Sequence, residues 1–291
     1  MVIETLAERF PQLYLKPGTG VSKSDLYRSI IRKGYRYEGD LSHFTGTVRD
    51  SLTLEQTPAG NVMIVFLAER ADFECFYRIM ACRCEPVDVP VTMGACCISG
   101  INDWSKIFAH MAAYRESGGD DSSGEFARFT ATPLNYKETM ILLSDGPYSA
   151  VLAKYTPYDS QTWRCISLEI RKYHELTHFI CRNLFPKKKY PIWDELLADC
   201  MGLLFATGEY SIQLAQAFLG IENGVYIGGR LENYTDGLPS DETVNRVMVA
   251  IDKLSHCCNV ERSKGNEGYV MLEKIESRAE EICPELTNMF F

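Results

Sequence analysis

The strongest periodicity in the chain runs from Trp163 to Leu184. Ile166, Ile170, Tyr173, Thr177, Ile180 and Leu184 recur three or four residues apart, the mark of one packed face on an α-helix. Phe185-Pro186 stops the pattern, and Lys187 to Lys189 add positive charge where the C-terminal end of a helix dipole favours it. Pro191 opens a second helical run that continues to Thr207 and stops at Gly208, with proline inside the start and glycine just past the end. The connection is short, so the two helices are expected to pack antiparallel. Helical patterning continues through Tyr210–Leu219, from Ser240 to Cys258 and from Asn266 to Ile282. Between the first two of these lies a glycine-rich loop, Ile221 to Gly237, of a length that is often functional.

The first half reads differently. Ser24 is placed to cap a short basic helix through Lys33, and the turn Pro58-Ala59-Gly60-Asn61 feeds a buried strand, Val62 to Leu67. Phe73 to Cys84 fits helix and strand equally, while Val87 to Ile98 leans to strand. Asn102-Asp103 starts a helix through Tyr114 with Trp104, Ile107, Phe108 and Met111 as its packed stripe and His110 beside it as a structural residue. Glu116 to Glu125 reads as a flexible loop. Thr139–Leu143 and Tyr148–Tyr155 read as two strands joined by the turn Ser144-Asp145-Gly146-Pro147. The expected architecture is α+β: residues 1–155 a mixed half carrying the sheet and 156–291 a helical half, within one compact unit with a cleft between the halves.

The chemistry lies on the two central helices. His174 and His178 are four apart in Tyr173-His174-Glu175-Leu176-Thr177-His178 and so share a helix face. Two imidazoles so placed can grip a zinc ion, with Glu175 reaching a bound water as general base. Glu195 and Asp199 are also four apart. In the antiparallel arrangement Glu195 falls near the histidines as a third ligand, with Asp194 its nearest alternative. Asp199 falls towards His174 and can orient it from behind.

Charge and composition narrow the partners. A net charge of −9 argues against nucleic acid, and no run approaches the roughly eighteen apolar residues of a membrane helix. Met1 to Leu15 carries Glu4, Glu8 and Arg9 without an apolar core segment, so it does not read as a secretory signal. Eleven cysteines without that signal are expected as reduced, mostly buried thiols in the cytoplasm. A second metal site at Cys82 and Cys84 competes with a simpler reading as small apolar fillers.

His-Glu-Leu-Thr-His followed by Glu-Leu-Leu-Ala-Asp resembles the gluzincin group of zinc metallopeptidases, over about residues 163–208. The resemblance implies a zincin-like fold. It also implies a bound Zn2+ held by His174, His178 and Glu195, hydrolysis of a peptide or protein substrate, and an edge strand that holds the substrate, for which residues 148–153 are the candidate. Related enzymes supply an oxyanion donor downstream of the glutamate ligand. Here Arg230 is the first choice, followed by Tyr226 and Tyr234, since His256 lies in a helical stretch dense with core residues. Two other readings stay open: a non-catalytic zincin-fold interaction protein, and a zinc hydrolase of non-peptide amides or esters. Oligomeric state has no signature in the chain.

Overall fold

The computed structural model describes residues 2–37, 39–186, 191–235 and 237–287. The lysines 187–189 expected to favour a helix end lie outside the described residues. The chain divides into two compact units. The first comprises residues up to Glu55, Val62–Val89 and Cys96–Ser144; the second comprises Gln56–Asn61, Pro90–Ala95 and the chain from Asp145 onward.

The first unit is α+β. Helix α1 (Val2–Arg9) precedes α2 (Asp25–Lys33), whose first turn is capped by Ser24 Oγ accepting from the Tyr27 N–H, as expected. Strands β1 (Ser51–Thr57) and β2 (Gly60–Leu67) are joined by two residues, a connection that antiparallel neighbours make. Helix α3 (Arg70–Met80) settles the ambiguous stretch: it buries Asp72, Phe73, Phe76 and Ile79 at helical spacing. Strand β3 (Ala95–Asn102) takes up only the end of the β-leaning segment, and α4 (Trp104–Glu116) follows it.

Trp104, Ile107 and Met111 are buried as their spacing predicts. His110 is structural, stacked on Phe129 with ring centroids 4.0 Å apart and bonded to Glu125. The stretch read as a flexible loop contains the start of helix α5 (Ser122–Thr130), because Asp121 caps it by accepting from the Gly124 N–H. Strand β4 (Lys137–Ser144) completes a sheet of order β1-β2-β4-β3. β2 and β4 run parallel, Met63 opposite Met140 through Leu67 opposite Ser144. Their apolar runs, Val62–Val65 and Met140–Leu143, are buried throughout, as central parallel strands require.

The second unit is helical. Helix α6 (Ser160–Leu184) and α7 (Pro191–Thr207) form its axis. Then come α8 (Ile212–Leu219), a two-residue pairing of β5 (Ile221–Glu222) with β6 (Val225–Tyr226), α9 (Asp241–Ser263), α10 (Gly268–Glu276), α11 (Ala279–Ile282) and α12 (Pro284–Thr287). The single amphipathic stretch expected from 266 to 282 is therefore broken in two near Ser277. Leu184, expected at the end of the α6 stripe, is 41% exposed; the helix outlasts its packed face by a turn. Helix α7 is apolar on nearly every side and buries Ile192, Trp193 and all of Leu196–Leu203, so it is a core helix. Its carboxylates Asp194, Glu195 and Asp199 are the exceptions that need a reason.

Residues 148–155 are not a strand. They form two 3-10 turns, Tyr148–Ala150 and Ala153–Tyr155. The reason lies in α6, whose side chains take the backbone groups that a strand would offer a neighbour. Ser167 Oγ accepts from the Tyr148 N–H at 3.0 Å, and Trp163 Nε1 donates to the Val151 carbonyl at 2.7 Å. Arg171 donates to the carbonyls of Gly146 and Pro147, both at 2.7 Å. The candidate substrate edge at 148–153 is thereby excluded.

Candidate metal centre

The antiparallel register of α6 and α7 brings the predicted residues together. Glu195 lies against His178, Asp199 against His174, and Gly202 against Ile170, so each step forward on α7 is a step back on α6. The Phe205 ring stacks on Tyr173 with centroids 4.0 Å apart. His174 Nε2 and His178 Nε2 are 3.1 Å apart. Glu195 Oε2 is 3.5 Å from the first, and its Oε1 is 3.3 Å from the second. These three residues are the group, among the described residues, whose ligand atoms converge closely enough to hold a metal ion. His174 is buried, while His178 and Glu195 keep 11% and 18% of their side chains exposed. Glu175 is also buried, one residue along α6 from His174.

Behind His174 the polar groups form a closed network. Asp199 Oδ1 accepts from His174 Nδ1 at 2.9 Å and from the Tyr148 hydroxyl at 2.6 Å. The Tyr148 oxygen also lies 2.8 Å from His174 Nδ1 and accepts from Arg230 Nη1 at 2.9 Å. Arg230 Nη2 donates to Asp199 Oδ2. The acceptors facing Nδ1 put the ring proton there and leave Nε2 free for the ligand side.

The charges follow from these contacts. Burial alone pushes the Asp199 carboxyl up, but the Arg230 charge and the His174 bond outweigh it and hold it below the usual range. Burial also opposes ionisation of Glu195, and His178 and His174 beside it again win, lowering it. His178 is raised correspondingly: Glu195 overrides the burial that would discharge the ring. Burial lifts the Tyr148 phenol well above its ordinary value, so it stays a neutral donor. Asp194, the alternative ligand, is pushed to about 7 by burial and by the Glu276 charge; it is not part of the converging group.

The three downstream candidates separate. Arg230 comes to the site, but its two terminal nitrogens are taken by Tyr148 and Asp199. Tyr234 lies beside Glu195 and Arg230, and burial together with the nearby carboxylate raises its phenol. Tyr226 is engaged within its own loop: its hydroxyl donates to the Gly229 carbonyl and accepts from the Gly229 N–H, both at 2.8 Å. His256 is exposed on α9. Cys82 and Cys84 join no metal-capable group among the described residues. Sequence reasoning missed Tyr148 altogether and gave Arg171 no role. Tyr148 precedes His174 across a turn, where no spacing rule applies; its place straight after Gly146-Pro147 was the only cue.

Residues 1–278 match a family of unknown function (DUF7005), and the chain belongs to it. No curated protein and no solved structure matches the chain. Among the described residues, no helix is long and apolar enough to cross a membrane.

Proposed function

We propose that the chain is a zinc-dependent metallopeptidase of gluzincin type, with His174, His178 and Glu195 as ligands. The observation that carries this reading is the convergence of three side chains, the two imidazole Nε2 atoms on each other and the two Glu195 carboxylate oxygens each on one of them. In a tetrahedral zinc site with bonds of about 2.0–2.2 Å, neighbouring ligand atoms stand about 3.3–3.5 Å apart. The spacings here are 3.1, 3.3 and 3.5 Å. His174, His178 and Glu195 would hold the zinc ion, which would supply polarisation of a carbonyl oxygen and a bound water with a pKa of about 7.

The remaining steps belong to the chain. Glu175 takes the proton of the attacking water and passes it to the leaving amine. Tyr234, at the Glu195 carboxylate, is the side chain of the three downstream candidates with a hydroxyl beside the ligand group, and it donates to the developing oxyanion. The substrate is a peptide or protein. The cytoplasm is the proposed compartment, supported by eleven cysteines, none in a disulfide, which suits reducing conditions.

The test is Glu175→Gln beside the wild type, with zinc content and cleavage of a peptide library as readouts. The variant should keep one zinc per chain and lose hydrolysis, because the glutamate is a base and not a ligand. Wild-type protein that cannot be loaded with zinc, or a variant that cleaves as fast as the wild type, overturns the proposal.

A further inference from the structure

Helix α6 is laced to the segment before it along one face. Trp163, Arg164, Ser167 and Arg171 take, in turn, the Val151 carbonyl, the Asp145 carboxylate, the Tyr148 N–H and the carbonyls of Gly146 and Pro147. The next residue on that face is His174, and its partner in the segment is the Tyr148 hydroxyl. The Tyr148 ring sits edge-on against Phe218 of α8, centroids 4.7 Å apart. Directly after it, Ser149 and Ala150 take left-handed backbone at φ 48° and 60°. Residues with a Cβ hold that conformation only where their surroundings impose it. A lacing this extensive, with strained backbone at its end, delivers one phenol to one imidazole.

We infer that Tyr148 is a positioning residue for the metal centre. The inference rests on the metal site proposed above and adds what sets its geometry. A phenol is donor and acceptor at one oxygen. Tyr148 uses both capacities, donating to Asp199 Oδ1 and accepting from Arg230, with His174 Nδ1 close to the same oxygen. Phenylalanine fills the same space and supplies neither. Without the hydroxyl, Asp199 loses a donor that fixes its plane, Arg230 Nη1 loses its acceptor, and the His174 ring has only Asp199 to set its tilt. Orienting groups of this kind change metal affinity although they never touch the metal. Arg230 belongs to the same device: its guanidinium joins Asp199 to Tyr148 and so steadies His174 at one remove.

The experiment uses the full chain with zinc as the probe. Zinc affinity is measured by competition with a chromophoric chelator for the wild type, Tyr148→Phe and a core control, Ile251→Val in α9. Tyr148→Phe should bind zinc about 10- to 100-fold more weakly, while Ile251→Val lowers unfolding stability with affinity unchanged. The visible spectrum of the cobalt-loaded protein should shift in Tyr148→Phe and not in the control, since it reports ligand geometry. Wild-type affinity and an unaltered cobalt spectrum in Tyr148→Phe overturn the inference and leave the zinc site standing. A wild type that takes up no zinc overturns both. Should Tyr148→Phe fail to fold, the wild type still decides. Histidine nitrogen spectra of the zinc-loaded protein should show His174 protonated at Nδ1 and slow to exchange; an Nδ1 proton in fast exchange with water overturns the inference, and a proton on Nε2 overturns both the inference and the metal site.

Discussion

Asp199 is the residue on which the polar groups behind the site depend. It is 1% exposed and takes donors from His174, Tyr148 and Arg230. An asparagine there can accept at one atom, but it turns an N–H donor towards a second donor and removes the charge that Arg230 answers. Asp199→Asn is therefore expected to weaken zinc by about 10- to 100-fold. It should also destabilise the fold by about 3–5 kcal/mol, the usual cost of stranding a buried charge. Chelator competition and urea unfolding measure the two effects, and loss of neither would mean that Asp199 does not orient His174. The downstream donors sort by what they already hold. Tyr234→Phe should lose on the order of 100-fold in turnover with zinc retained, and Tyr226→Phe should turn over near the wild-type rate. Arg230→Ala should lose zinc affinity and stability together, because it stands behind the ligand and not before the substrate.

The pairing of α6 with α7 sets the spacing of the proposed ligands, and the two helices pack tightly at Gly202. A Cβ added there would lie 2.9 Å from the Ile170 carbonyl oxygen and 3.0 Å from its Cγ2. A backbone atom cannot swing aside as a flexible side chain can, so Gly202→Ala must part the helices or tilt one of them. Overpacking of this kind costs about 1–3 kcal/mol. Since Asp199 and Glu195 ride on the same rigid helix, zinc affinity should fall with stability. Unchanged affinity in a destabilised Gly202→Ala protein would show that the ligands tolerate helix displacement. The apolar pattern of both helices was legible because helical periodicity is local, and the four-residue spacings carried the ligands with it. The segment before them was not: Tyr148 to Tyr155 reads as a strand after the turn signal Ser144 to Pro147, yet α6 takes its backbone groups and Ser149 and Ala150 leave the extended region.

Each unit carries its own response to conditions. In the first, Arg128 and then His110, both bonded to Glu125, hold its carboxyl at about 2, below the ordinary glutamate range. A carboxyl lowered by folding contributes stability that is present above its unfolded value, about 4.3, and is lost as the pH falls towards 2. Glu125→Gln should flatten the fall in stability over that window, read from urea midpoints against pH; an identical acid profile would mean the contacts are not made in solution. In the second unit, the proposed zinc site predicts a response to metal. Zinc held at about a hundred times its dissociation constant should add about 2.7 kcal/mol to stability, and a chelator should remove it. His174→Ala should abolish that increment.

Spacing along the chain was enough to place the two histidines, Glu175, Glu195 and Asp199 on facing helices, because an α-helix converts a four-residue interval into one face whatever surrounds it. It was enough, too, for the α+β character of the first unit, where apolar runs and caps act over a few residues. The partners that arrive from elsewhere were decided by folding. Tyr148 is fixed by side chains of α6, and Arg230, read from its glycine-rich loop as a donor to substrate, is drawn to the buried charge of Asp199. Such contacts join residues 82 and 31 positions apart. They form because an unpaired carboxylate inside an apolar helix core costs more than the ordering of the loop that answers it.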